Sequence, residues 1–89
     1  MANTGLSVGY YTVEVKTPLN KRSKPYMAEC NDIIEALGMN YAEANVFKAV
    51  WRSCAARQLG VMKDGYDGPV YDAEKMVFFA NRVLAQRRP

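Results

Sequence analysis

The chain has 89 residues, 49% of them hydrophobic, and carries 12 Lys and Arg against 9 Asp and Glu, for a net charge of +3. That length excludes two ordinary domains, and that composition excludes a disordered or fibrous chain. With no His and only two cysteines, a zinc site built from Cys and His alone is excluded within one copy, and the small positive excess favours anionic partners without selecting nucleic acid over small phosphates.

Residues 1–8 lack the basic-then-apolar order of a targeting segment, and no stretch approaches the roughly 18 apolar residues of a membrane span. The expectation is therefore a cytoplasmic protein with no membrane partner. Over 10–16 the residues Tyr11, Val13 and Val15 alternate with Thr12, Glu14 and Lys16, the period of one strand. Nothing else alternates, so this strand is expected to pair with another copy or to lie as an extended arm. Between Pro18 and Pro25, Lys21, Arg22 and Lys24 make a basic loop.

A first helix is expected to open at Pro25, where a missing amide proton costs nothing, and to stop at Gly38. Met27, Cys30, Ile34 and Leu37, widened by Ile33, would form its core face. A second helix opens at Asn40 with Glu43 three residues on, an Asn version of the capping box, and runs to about Gln58 before Gly60. Its apolar stripe is Phe47, Val50, Trp51 and Cys54. The stretch 60–69, with three glycines and two aspartates, reads as a loop containing a tight turn. A third helix follows over about 70–87 with Ala73, Met76, Val77, Ala80, Val83 and Leu84 inward. Cys30 and Cys54 both fall in apolar patterns and are expected as reduced core residues, with a disulfide between them as the alternative.

The fold class expected is mainly α: a three-helix domain over 25–89, preceded over 1–24 by a strand or arm and the basic loop. With the first two dozen residues loosely attached, the packed part falls below the roughly 70 to 80 residues under which a staple is often needed. None is visible, so assembly as a homo-oligomer is expected.

Asn45, Lys48 and Arg52 lie at i, i+3 and i+7 and share one side of the second helix. An Arg fork, a Lys point charge and an amide in such a row can hold a phosphate, or can form a solvated polar face. Asp72 and Glu74 open the third helix, where they favour the dipole; either can pair with Arg52 or Lys48 across the bundle, or hold magnesium beside a phosphate. Trp51 beside these cations can stack a base or pack in the core. Phe78 and Phe79, adjacent and about 100° apart on a helix, cannot both centre one stripe, so one is a candidate for a contact outside the domain. No phosphate-loop or dinucleotide glycine motif is present, and there is no His base.

Taken together, Pro25-Tyr26, 30–37, Asn45-Val46-Phe47-Lys48-Ala49-Val50-Trp51-Arg52 and Asp72-Ala73-Glu74-Lys75-Met76 resemble the SaV-like group of small phage proteins, which includes a nucleotide kinase acting on deoxynucleoside monophosphates. The resemblance covers roughly residues 25–84 and rests most on Asn45, Lys48, Trp51 and Arg52, which keep the family spacing. The family's His is absent, leaving Lys24 and Pro25 before Tyr26; its Gly is Ala44, its Tyr is Ala49 and its Leu is Ala73. The resemblance implies a phage accessory protein that assembles and binds a nucleotide, and it adds Tyr26 and Lys75 to the ligand-binding set. Kinase activity, with magnesium as its only cofactor, is implied by resemblance alone. A non-catalytic sponge for a host nucleotide signal, including a cyclic one, is the alternative, and nucleic-acid binding through the basic loop and the Arg87-Arg88 end ranks below both.

Overall fold

A computed structural model describes residues 9–20 and 23–89; the targeting reading of 1–8 and the loop cations Lys21 and Arg22 lie outside the described residues. In chain order come a 3-10 turn (Gly9–Tyr11), β1 (Thr12–Val15), β2 (Tyr26–Glu29), α1 (Cys30–Ala36), α2 (Tyr41–Leu59) and α3 (Pro69–Arg87). The protein is mainly helical, as expected, and among the described residues no helix is long and apolar enough to cross a membrane.

The expected lone strand has a partner in its own chain. β1 and β2 pair antiparallel, with Val13 opposite Ala28 and Val15 opposite Tyr26, and the Thr12 hydroxyl donates to Glu29 Oε1 at 2.8 Å. Residues 26–29 were expected in the first helix; they form β2 instead, and Met27, assigned to the core, is 60% exposed. Extended residues after Pro25 satisfy their backbone groups on β1, so the helix starts only at Cys30. Its end is as expected: Gly38, at φ +62, takes the left-handed conformation that glycine tolerates best. There the Gly38 and Met39 N–H groups donate to the Glu35 and Ile34 carbonyls, closing a Schellman motif.

α2 opens on the expected capping box: Glu43 N–H donates to Asn40 Oδ1 and Asn40 N–H to Glu43 Oε1, each at 3.0 Å. It ends at Gly60, at φ +66. α3 begins at Pro69, whose missing N–H is harmless there, and returns antiparallel to α2. Asn40 and Glu43 at the start of α2 bond Gln86 and Arg87 at the end of α3.

The core is smaller than the apolar stripes suggest. Among the described residues the buried apolar ones are Cys30, Ala42, Ala49 and Ala55. On α2, Val50 and Cys54 are exposed, while Phe47 and Trp51 are half-buried. On α3 the face toward α2 is Asp72, Lys75, Met76, Phe79 and Val83; Ala73, Val77, Ala80 and Leu84 are exposed, with Val77 at 62%. Asp72 shares the inner face of α3 with Met76, Phe79 and Val83, and on a helix that orientation leaves Ala73, Val77, Ala80 and Leu84 on the outer side. Both cysteines are free, Cys30 buried and Cys54 exposed, which corrects the core placement of Cys54.

Candidate functional site

Arg52 and Asp72 face each other across the α2–α3 seam. Arg52 Nε and Nη2 donate to Asp72 Oδ1 at 3.1 and 2.9 Å, Arg52 Nη1 donates to the Tyr11 hydroxyl at 3.0 Å, and the Tyr66 hydroxyl donates to Asp72 Oδ2 at 2.7 Å. The Asp72 side chain is 0% exposed and that of Arg52 only 13%. Burial alone would cost such a carboxylate several kcal/mol; full hydrogen bonding to both oxygens is what makes it tolerable. The network joins the 3-10 turn, α2, the 60–69 loop and α3, so it positions every element around the cations.

The protonation states follow from this geometry. Burial works against the Arg52 charge, yet its hydrogen bonds to Tyr11 and Asp72 outweigh it and raise the guanidinium pKa. Burial, then the bond to Asp72 and its negative charge, push the Tyr66 phenol up to about 12. Burial also raises the Cys30 thiol, against an opposing pull from Lys48 and Arg52, so Cys30 stays a neutral thiol rather than a nucleophile.

Lys48 has a different environment. It lies one turn before Arg52 on α2, half-buried, with its ammonium 5.8 Å from the centroid of the Tyr11 ring. Among the described residues no carboxylate is within ion-pair distance of it. The Arg52–Asp72 pair is neutral as a unit, so Lys48 supplies the net positive charge of this cluster.

The remaining expected site residues divide. Asn45 is half-buried on the Lys48 side of α2 and donates from Nδ2 to the Tyr41 carbonyl at 2.8 Å. Lys75 follows Asp72 by one turn, with its ammonium 5.2 Å from the Tyr71 ring centroid. Tyr26 stands half-exposed in β2 opposite Val15. Trp51 is about 100° round the helix from Arg52; it packs edge-on against Phe47 at 5.8 Å and lines an apolar groove. Exposed Phe78 and half-buried Phe79 also divide as expected, with Phe79 packing on Tyr41.

Two expectations change. Arg52 does not offer a free fork to a phosphate, because three of its nitrogens are already engaged and the crevice beside it, between Tyr10, Met62 and Tyr66, is too narrow to admit a water molecule. Of the readings for Asp72, the structure shows pairing with Arg52 across the bundle, and both of its oxygens are occupied. Glu74 lies exposed on the outer side of α3. Among the described residues no group of three Cys, Asp or Glu side chains is arranged to hold a metal.

Tyr11 and Tyr66 belong to the network without having been singled out in the sequence. Tyr11 reads there as one more strand residue. The only signal for Tyr66 is a hydroxyl-bearing aromatic set between Gly65 and Asp67 in an otherwise small and polar loop. Comparison with protein families, curated proteins and solved structures finds no match to this chain.

Proposed function

We propose that this protein binds the phosphate of a nucleotide at Lys48, with Asn45 beside it and the Arg52–Asp72 pair holding the surrounding elements in place. The observation that carries the reading is the ammonium of half-buried Lys48, without a carboxylate partner among the described residues, next to a cation that is already neutralised. An incoming phosphate meets one uncompensated charge there. The Tyr11 ring at Lys48 adds an aromatic surface for a base. The resemblance of Asn45, Lys48, Trp51 and Arg52 to the SaV-like phage family supports a nucleotide rather than another anion.

Binding without turnover is the version the geometry favours. Of the ionisable groups near Lys48, the Cys30 thiol is kept neutral by burial, the Asp72 carboxylate has both oxygens engaged, and the Tyr11 hydroxyl accepts from Arg52, so none of these three is placed as a free base. The discriminating experiment incubates the protein with each deoxynucleoside monophosphate, ATP and magnesium. Nucleotide retained in native mass spectrometry and released chemically unchanged supports a sponge; diphosphate product supports a kinase. No retained nucleotide and no product refutes both.

A further inference from the structure

The loop between α2 and α3 holds two aspartates, and each stands immediately before a glycine: Asp64-Gly65 and Asp67-Gly68. An aspartate so placed has a chemistry of its own. The amide nitrogen of the following residue attacks the side-chain carboxyl carbon and an N–Cγ bond forms. One carboxyl oxygen leaves as water, taking the amide proton and a proton from solvent. A second water then opens the succinimide ring. Opening at Cγ restores aspartate; opening at the main-chain carbonyl leaves the chain running through Cβ, an isoaspartate whose carboxylate sits on Cα. Nothing is oxidised or reduced, and water is the only co-reactant. A following glycine favours the attack because no Cβ shields the nitrogen.

The surroundings of the two nitrogens are alike. Nothing lies within 4 Å of where a Cβ would stand on Gly65 or Gly68, and neither residue donates its N–H to a backbone carbonyl among the described residues. The difference is whether the peptide can rotate to bring the nitrogen to the carboxyl carbon. Asp64 and Gly65, both exposed, are the central residues of a turn closed by Tyr66 N–H on the Lys63 carbonyl at 3.2 Å. Gly65, third in that turn at φ +73, makes it type II. Types I and II differ in the orientation of the central peptide, so the Asp64–Gly65 peptide turns over while the ends stay in place.

The Asp67–Gly68 peptide is pinned on both sides, and through the same residue. Before it, the Tyr66 hydroxyl is bonded to the Asp72 carboxylate. After it, the Gly68 carbonyl accepts from Asp72 N–H at 3.2 Å as the cap of α3, with Pro69 next in the chain. Rotation there gives up the first hydrogen bond of the helix.

We propose that Asp64 is a site of isoaspartate formation in the folded protein, with Asp67 held back by the capped start of α3. Conversion inserts a methylene into the backbone of the turn that delivers Tyr66 to Asp72, and so loosens that bond. Lys48 takes no part, so the proposal stands or falls apart from the nucleotide reading.

The test keeps the full chain folded at neutral pH beside a matched sample in urea. Isoaspartate is read by isoaspartate-specific carboxyl methyl transfer and placed by electron-transfer fragmentation of tryptic peptides. In the folded chain Asp64 should convert about tenfold faster than Asp67, the rate equivalent of one hydrogen bond; in urea the two rates should be similar. Asp64→Glu, whose longer side chain closes a ring far more slowly, should remove most of the signal from the folded protein. Converted chain, separated by chromatography, should melt about 4–8 °C below the unconverted form. A folded chain in which Asp64 does not convert, or in which Asp67 converts as fast, would overturn the proposal. An unchanged Tm in the converted chain would overturn its link to Tyr66.

Discussion

Replacing Asp72 by Asn changes one atom and removes the charge on which the middle of the fold is organised. Asp72 is fully buried and takes three hydrogen bonds, two from Arg52 and one from Tyr66. The amide cannot accept the Tyr66 proton on its nitrogen, and Arg52 is left as a nearly buried cation without a counter-charge. Breaking a buried pair from one side costs about 3–5 kcal/mol. Because Arg52 keeps 13% exposure and its bond to Tyr11, the lower end applies, about 3 kcal/mol. For a domain of this length that corresponds to a fall in Tm of about 12–24 °C. Far-UV circular dichroism on heating reads it, with both proteins at the same concentration. Arg52→Met combined with Asp72→Leu removes both charges and should be less destabilised than Asp72→Asn alone. A fall below about 4 °C, equivalent to less than about 1 kcal/mol, or a double variant as unstable as the sum of its singles, would refute the reasoning.

Other consequences are smaller. Tyr66 has its folded pKa raised to about 12, above the unfolded value of about 10, so its contribution to stability is complete below about pH 10 and is lost as pH rises through about 12. Ultraviolet titration of the six tyrosines should show one ionising near 12, and Tyr66→Phe should remove that step; six indistinguishable phenols would contradict it. Asn40→Ala removes the capping box and the bond to Gln86, and urea unfolding should register a loss of about 0.5–2 kcal/mol. Arg87→Ala breaks the exposed pair with Glu43 and should cost less than about 1 kcal/mol by the same measurement; a loss as large as that of Asp72→Asn would mean that burial does not set the value of these pairs.

Local signals in the sequence located the helix ends except the first start, where Pro25 precedes a strand and α1 opens only at Cys30. Gly38, Asn40 with Glu43 and Gly60 act through backbone geometry within a few residues, and each sits where its chemistry requires, while α3 starts at Pro69, one residue before the expected Val70. What local signals could not supply was long-range. β2 is short and lacks alternation, and it is a strand because β1 lies beside it. The apolar stripes of α2 and α3 read as inward, yet the seam between the helices holds Arg52 paired with Asp72, a contact 20 residues apart in sequence. Their spacing on each helix was legible; their partnership, and the hydroxyls of Tyr11 and Tyr66 that complete it, were not. Lys48 emerged as the uncompensated cation only once Arg52 was seen to be neutralised.

The central claim is that Lys48 receives a nucleotide phosphate while Arg52 serves the fold. Calorimetric titration of deoxynucleoside monophosphates into the full chain and into Lys48→Ala, with equal Tm established first, tests it directly. The unaltered protein should bind at least one of them, and Lys48→Ala should bind it about 10–100-fold more weakly, the loss of one charge-assisted contact. Equal affinity in the two proteins, or no binding by the unaltered chain, would contradict the claim.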